Sequence, residues 1–269
     1  PSPERPVAMT RSAVFRKLRI AFLLYVLLFV AVGAWVSRAA TTDWDDTLHV
    51  NVYPLNGDGS NEAADWIARL ESRDFAPVER YLQSEAERYG RSPERALDIT
   101  LGPTLDEGPP RPPDDANVLQ VMAWSLRLRW WTWRATRDDG IPEPDIKLFV
   151  QYFAPDDDVV LEPSLGLEKG LVGIVNAFAS RSMRGANRVV ITHELLHTLG
   201  ATDKYDPATS QPLAPVGLAD PDRSPLYPQR RAEIMAGRVA LSPTEARIPE
   251  DLGRTVIGPV TAAEIGLVR

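Results

Sequence analysis

"VVITHELLHTLGATDKYD", residues 189–206, carries two of the chain's three histidines, four residues apart, with a glutamate directly after the first. On a helix, positions i and i+4 lie one above the other, so His193 and His197 can turn both imidazoles toward one ion. Zinc accepts imidazole nitrogen at about 2.0–2.1 Å, and catalytic sites hold it with three protein ligands and one open position. Glu194 stands beside the same face, where it can take a proton from a water activated by the ion. The flanks fit a helix of about 187–199, with Asn187 as N-cap and Gly200 where a left-handed residue ends it. A helix that stops one turn after His197 lets the chain fold back. Asp203 is then the candidate third ligand, with Glu233 and Asp206 as rivals. His49, the remaining histidine, alternates with Leu48 and Val50 on a predicted strand and reads as structural or exposed.

The complete pattern, H-E-x-x-H-x-x-G-x-x-D, resembles the extended signature of the metzincin metallopeptidases, whose last position is histidine. Aspartate there is similar to the snapalysin type, secreted bacterial zinc peptidases with aspartate as third ligand. The resemblance implies a Zn2+ cofactor and a methionine-containing turn beneath it, for which "AEIMAG" at 232–237 offers Met235. It also implies a rim strand that pairs with extended substrate. "GLVGIVNAF" would be that strand, with Gly173, Ile174, Val175 and Asn176 facing the peptide. Gly237 stands where some metzincins carry a tyrosine after the methionine, which leaves Tyr205 as the nearest auxiliary hydroxyl. The likeness covers residues 168–237 and leaves the N-terminal half unaccounted for.

Outward from the motif, alternation and turn residues predict strands at 47–55, 96–102, 145–153 and 169–180. Helical spacing marks 61–71, 75–89 and 261–267. Residues 116–136 hold four tryptophans but also Arg127, Arg129 and Arg134, which predicts a long packing helix with its aromatics turned inward. "GPPRPPDD" at 108–115 is a loop, and 206–228 is proline-rich and irregular. The acidic runs at 137–140 and 155–160 match no calcium-loop spacing and read as solvated turns. The order describes an α+β, zincin-like domain over 40–269, with a mixed twisted sheet, a long helix and an active-site helix.

"IAFLLYVLLFVAVGAWV" at 20–36 has no charge and follows Arg11, Arg16, Lys17 and Arg19. That asymmetry predicts a transmembrane signal anchor at 20–37, a basic cytoplasmic tail at 1–19 and an extracytoplasmic body. A cut near Ser37–Ala39 would release the body as a secreted protein. Without its first 38 residues the chain has a net charge of -12, which excludes nucleic acid as a partner. The absence of cysteine excludes disulfides, thiolate metal sites and cysteine nucleophiles. The expected function is zinc-dependent hydrolysis of a polypeptide substrate at the membrane. The alternatives are a binding or scaffold domain with a structural metal, and hydrolysis of non-peptide cell-wall amides.

Overall fold

The computed structural model describes residues 15–25, 28, 42–113, 117–155, 164–167 and 171–268. The chain forms two compact units, Pro1–Ala40 and Thr41–Arg269. In the first, residues 15–25 are helical and exposed. Among the described residues no helix is long and apolar enough to cross a membrane. This overturns the transmembrane signal anchor at 20–37 and the single-pass membrane location that depended on it. Residues 26–27 and 29–41 lie outside the described residues, as does most of the acidic run at 155–160.

The second unit begins with β1 (Leu48–Asn56), followed by α1 (Asn61–Ile67), α2 (Ala76–Arg88) and β2 (Leu97–Leu101). Next come α3 (Val118–Thr136), β3 (Ile146–Phe153), β4 (Leu165–Leu167), β5 (Val172–Phe178) and α4 (Arg184–Thr198). The strands form one sheet in the order β2-β1-β3-β5-β4. Its first four strands are parallel, and β4 is an antiparallel edge on β5. Parallel neighbours need crossover connections, which α1 and α2 supply between β1 and β2 and α3 supplies between β2 and β3. The architecture is therefore mixed α/β, a correction to the expected α+β class.

Side chains alternate across the sheet and build a core on each face. Val50, Val52, Leu148, Val150 and Val175 turn toward α1, α2 and α4, where they meet Val78, Leu82, Ile191, Leu195 and Leu196. Tyr53, Leu55, Phe149 and Ile174 turn the other way, onto Leu128 and Trp131 of α3. Only one flank of α3 is covered. Trp131 is buried, whereas Val118 and Leu119 are each 75% exposed and Trp130 and Trp133 are more than half exposed. The inward packing expected for all the tryptophans thus holds for one side of the helix. Arg134 lies over the Trp130 ring and Arg137 over Trp133, so the outer rings carry cations instead of core contacts.

After α4 the chain is mostly loop, interrupted by β6 (Ala232–Glu233), β7 (Val239–Ala240), β8 (Ala246–Arg247), β9 (Thr255–Val256) and α5 (Pro259–Glu264). These short pieces pair β6 with β9 and β7 with β8, and they place a 3-10 turn, Ile234–Ala236, against α4.

Candidate metal centre

Helix α4 buries Ile191 and Leu195 on one side and leaves His193 and His197 half-buried on the other. It starts earlier than the sequence implies, at Arg184, with Asn187 inside its first turns. The Asn187 amide has a different task from capping. Its Nδ2 donates to the Phe178 carbonyl at 2.8 Å and its Oδ1 accepts from the Phe178 N–H at 3.1 Å, which locks the end of β5 to the helix. At the other end Gly200, with φ of 98°, closes the helix, and the Ala201 N–H returns to the Leu196 carbonyl at 3.0 Å.

The reversed chain brings Asp203 back over the histidines. His193 Nε2 and His197 Nε2 lie 3.1 Å apart, and Asp203 Oδ1 is 3.2 Å from the first and 3.1 Å from the second. Ligand atoms held at about 2.0–2.1 Å around a tetrahedral zinc would be separated by about 3.3 Å, close to this triangle. The outer nitrogens are already engaged: His193 Nδ1 with the Ile234 carbonyl at 3.0 Å, His197 Nδ1 with the Ala201 carbonyl at 2.8 Å. Carbonyls only accept, so each Nδ1 carries the proton and each Nε2 turns a lone pair inward. Two lone pairs and a carboxylate oxygen then face one another, an arrangement that calls for a cation. Among the described residues, this is the group of His, Asp or Glu side chains able to hold a metal ion.

The electrostatics agree with that geometry. Burial alone would raise the Asp203 carboxyl, but the two imidazoles outweigh it and hold it well below the usual carboxylate range. Burial works against a charge on His197, yet Asp203 and Glu194 overcome it and raise the ring above its ordinary value. Glu194 behaves oppositely. Burial pushes its carboxyl up, and the neighbouring histidines reduce the effect without cancelling it. Its Oε2 is buried and has no hydrogen-bond partner, while the Gly166 N–H of β4 lies against the carboxylate. A buried carboxylate oxygen left open beside a cation site is suited to accept a proton.

The other sequence candidates separate clearly. Met235 is fully buried in the 3-10 turn below α4, the turn whose Ile234 carbonyl orients His193. Tyr205 lies near Asp203, and burial together with that carboxylate raises its pKa. Glu233 is fully buried but occupied, accepting from Met235 N, Ala236 N, Gly258 N and Thr261 Oγ1. Asp206 caps its own turn through Ala208 N and Thr209 N. Both rivals are thus committed elsewhere. His49 sits exposed at the far end of β1, 3.6 Å from Asp98. The rim assignment changes: β5, with Gly173, Ile174, Val175 and Asn176, is paired to β3 along its length and to β4 over Val172–Ile174. The Asn176 N–H is taken by Ser164 Oγ at 3.0 Å. The edge beside the site is β4.

Three contributors have no local signature in the sequence. Gly166 lets β4 touch α4. Lys204, next to Asp203, is 4% exposed and donates through Nζ to Glu264 Oε1 and Oε2 at 2.9 and 2.8 Å. Arg238 lines the cleft of about 350 Å³ that opens beside His193 and Glu194.

No protein-family model matches the chain, and no curated protein matches it. Among solved structures, wild-type OgpA from Akkermansia muciniphila is similar over 82% of this chain and 60% of its own, with 14% identity and a TM-score of 0.39. Catalytically inactive OgpA in complex with an O-glycopeptide (glycodrosocin) substrate gives 13% identity and a TM-score of 0.37 over 83% and 60%. The chain therefore spans about 60% of the length of these neighbours, and the likeness is weak. The metal reading rests on the chain's own residues: two imidazoles and a carboxylate set as a cation site, with a buried carboxylate and an open cleft beside them.

Proposed function

We propose that the chain is a zinc-dependent peptidase of metzincin type in which His193, His197 and Asp203 hold the ion and Glu194 is the general base. The observation that carries this reading is the triangle of three ligand atoms 3.1–3.2 Å apart whose imidazoles are already fixed from behind by two backbone carbonyls. Zinc, when bound, supplies a Lewis acid for the scissile carbonyl and lowers the pKa of a water toward 7. Glu194 takes the proton from the attacking water and delivers it to the leaving amine. Its raised affinity for a proton and its open Oε2 suit both steps. Tyr205 lines the cleft near Asp203, which supports a role for its hydroxyl at a developing oxyanion. The β4 edge lies against Glu194 and offers main-chain groups to an extended peptide. A structural metal would require a fourth protein ligand. Among the described residues no fourth His, Asp or Glu joins the three, and a cleft opens beside them.

Metal analysis of the purified protein should give one zinc per chain, lost in His197→Ala. Glu194→Ala should keep the zinc and lose peptide hydrolysis by at least about 100-fold. A Glu194→Ala protein that cleaves peptides as fast as the parent would remove the mechanism.

A further inference from the structure

We infer that the cleft beside the metal group selects a substrate residue bearing a carboxylate, and that Arg238 is the residue that reads it. The inference rests on the peptidase reading above. Gly237, with φ of 67°, ends the turn that contains Met235, and its N–H is bonded to the Glu233 and Ile234 carbonyls. Immediately after Arg238, Val239 and Ala240 are buried and paired with β8. The backbone is therefore fixed on both sides of Arg238, and its side chain enters the wall of the cleft half-buried.

A guanidinium in such a place is expected to be satisfied. The other half-buried arginines follow that rule. Arg91 donates to the Gly266 and Leu267 carbonyls, Arg188 to Asp74, Arg223 to Pro225, and Arg184 lies over the Trp66 ring. Arg238 has no hydrogen bond or ion pair among the described residues, and it is not one of those with a further interaction. Five donors are thus presented to a space whose remaining walls include Ala186, Val189, Val190 and Ile248. The apolar walls suit the methylene stem of a side chain. A planar guanidinium at the wall suits a carboxylate, which it can bind through two parallel hydrogen bonds. A lysine or arginine entering the same space would meet a like charge, so the residue also discriminates by repulsion. Glu194, at the metal end of the cleft, is the anion within it and is engaged with the reacting centre.

The carboxylate can come from an acidic side chain beside the scissile bond or from the free C-terminus of a short peptide. Peptides that differ only at the residue flanking the cleaved bond (Glu, Gln, Leu or Lys), each with a free or an amidated C-terminus, separate the two sources. A charge-assisted hydrogen bond is worth about 1.5–3 kcal/mol, so the parent should favour the carboxylate by about 10–100-fold in kcat/KM. Glu over Gln identifies the side chain, and free over amidated C-terminus identifies the chain end. Arg238→Gln should abolish the preference and Arg238→Glu should turn it toward Lys, with zinc content unchanged in both. A parent indifferent to the carboxylate in both comparisons, or an Arg238→Glu variant that keeps its preference, overturns the inference. Peptide binding to the Glu194→Ala variant, read by fluorescence anisotropy, keeps the question separate from turnover. Preserved carboxylate preference in binding without hydrolysis by the parent would count against the peptidase reading alone. Equal binding of carboxylate and amide peptides would count against Arg238 alone.

Discussion

Gly166 shows how closely the edge strand approaches the helix that carries the histidines. A Cβ built there would lie 2.4 Å from His197 Cβ and 2.5 Å from the Glu194 carbonyl oxygen, both fixed parts of the helix. At Gly173 the nearest atom, at 2.5 Å, is Leu148 Cδ2, the far end of a flexible side chain. The two glycines should therefore respond differently to the same substitution. Gly166→Ala forces β4 and α4 apart, an overpacking that costs about 1–3 kcal/mol and lowers Tm by about 2–4 °C for each kcal/mol. It should also reduce hydrolysis, because the Gly166 N–H is drawn away from Glu194. Gly173→Ala should be milder on both counts. Thermal melts and kcat/KM of the two variants check this, and equal behaviour would remove the steric argument.

Among the elements, the loop from Gly200 to Tyr205 depends most on support from elsewhere, because it returns Asp203 to the histidines. One support is the Met235 turn, whose carbonyl accepts the Lys204 N–H at 2.9 Å. The other is α5, whose Glu264 holds both the Lys204 ammonium and the Thr202 N–H and hydroxyl. Burial alone would raise the Glu264 carboxyl, but Lys204 prevails and lowers it. Removing Glu264 leaves a buried ammonium without its counter-charge, a loss of up to about 3 kcal/mol. Glu264→Ala should therefore weaken zinc binding by at least about tenfold in a chelator competition, with Glu264→Gln intermediate. Parental zinc affinity in Glu264→Ala would mean that the loop needs no such support. The histidine pair and the helix-ending glycine are legible in the sequence, since their spacing expresses one helical period and one turn. The clasp is not, because Glu264 lies 60 residues from Lys204. Nor is β4, three residues long and too short to show alternation. In α3 the tryptophans signalled burial but not which side of the helix would receive it.

Across the whole molecule, most strands and helices were legible from their periods, but their pairing was not. Hydrophobic alternation marks a strand without saying whether its neighbour runs alongside or against it. The crossovers by α1, α2 and α3 make the sheet parallel, and only the short β4 runs the other way. The apolar stretch at 20–36 illustrates the same limit, since composition alone supported a span that the described helix does not provide. The clasp between Lys204 and Glu264 also has a consequence in time. Residues 193–203 leave the ribosome well before α5, and α5 is held from the other end of the domain as well, by the Trp44 Nε1 bond to the Ile265 carbonyl at 2.7 Å. A growing chain can thus form the helix with both histidines while Asp203 is still loosely held. We predict that a chain ended after residue 258 takes up zinc at least about tenfold more weakly than the full chain, and equal uptake by the two would refute it. For the proposed peptidase, hydrolytic competence would then be withheld during synthesis until α5 has formed.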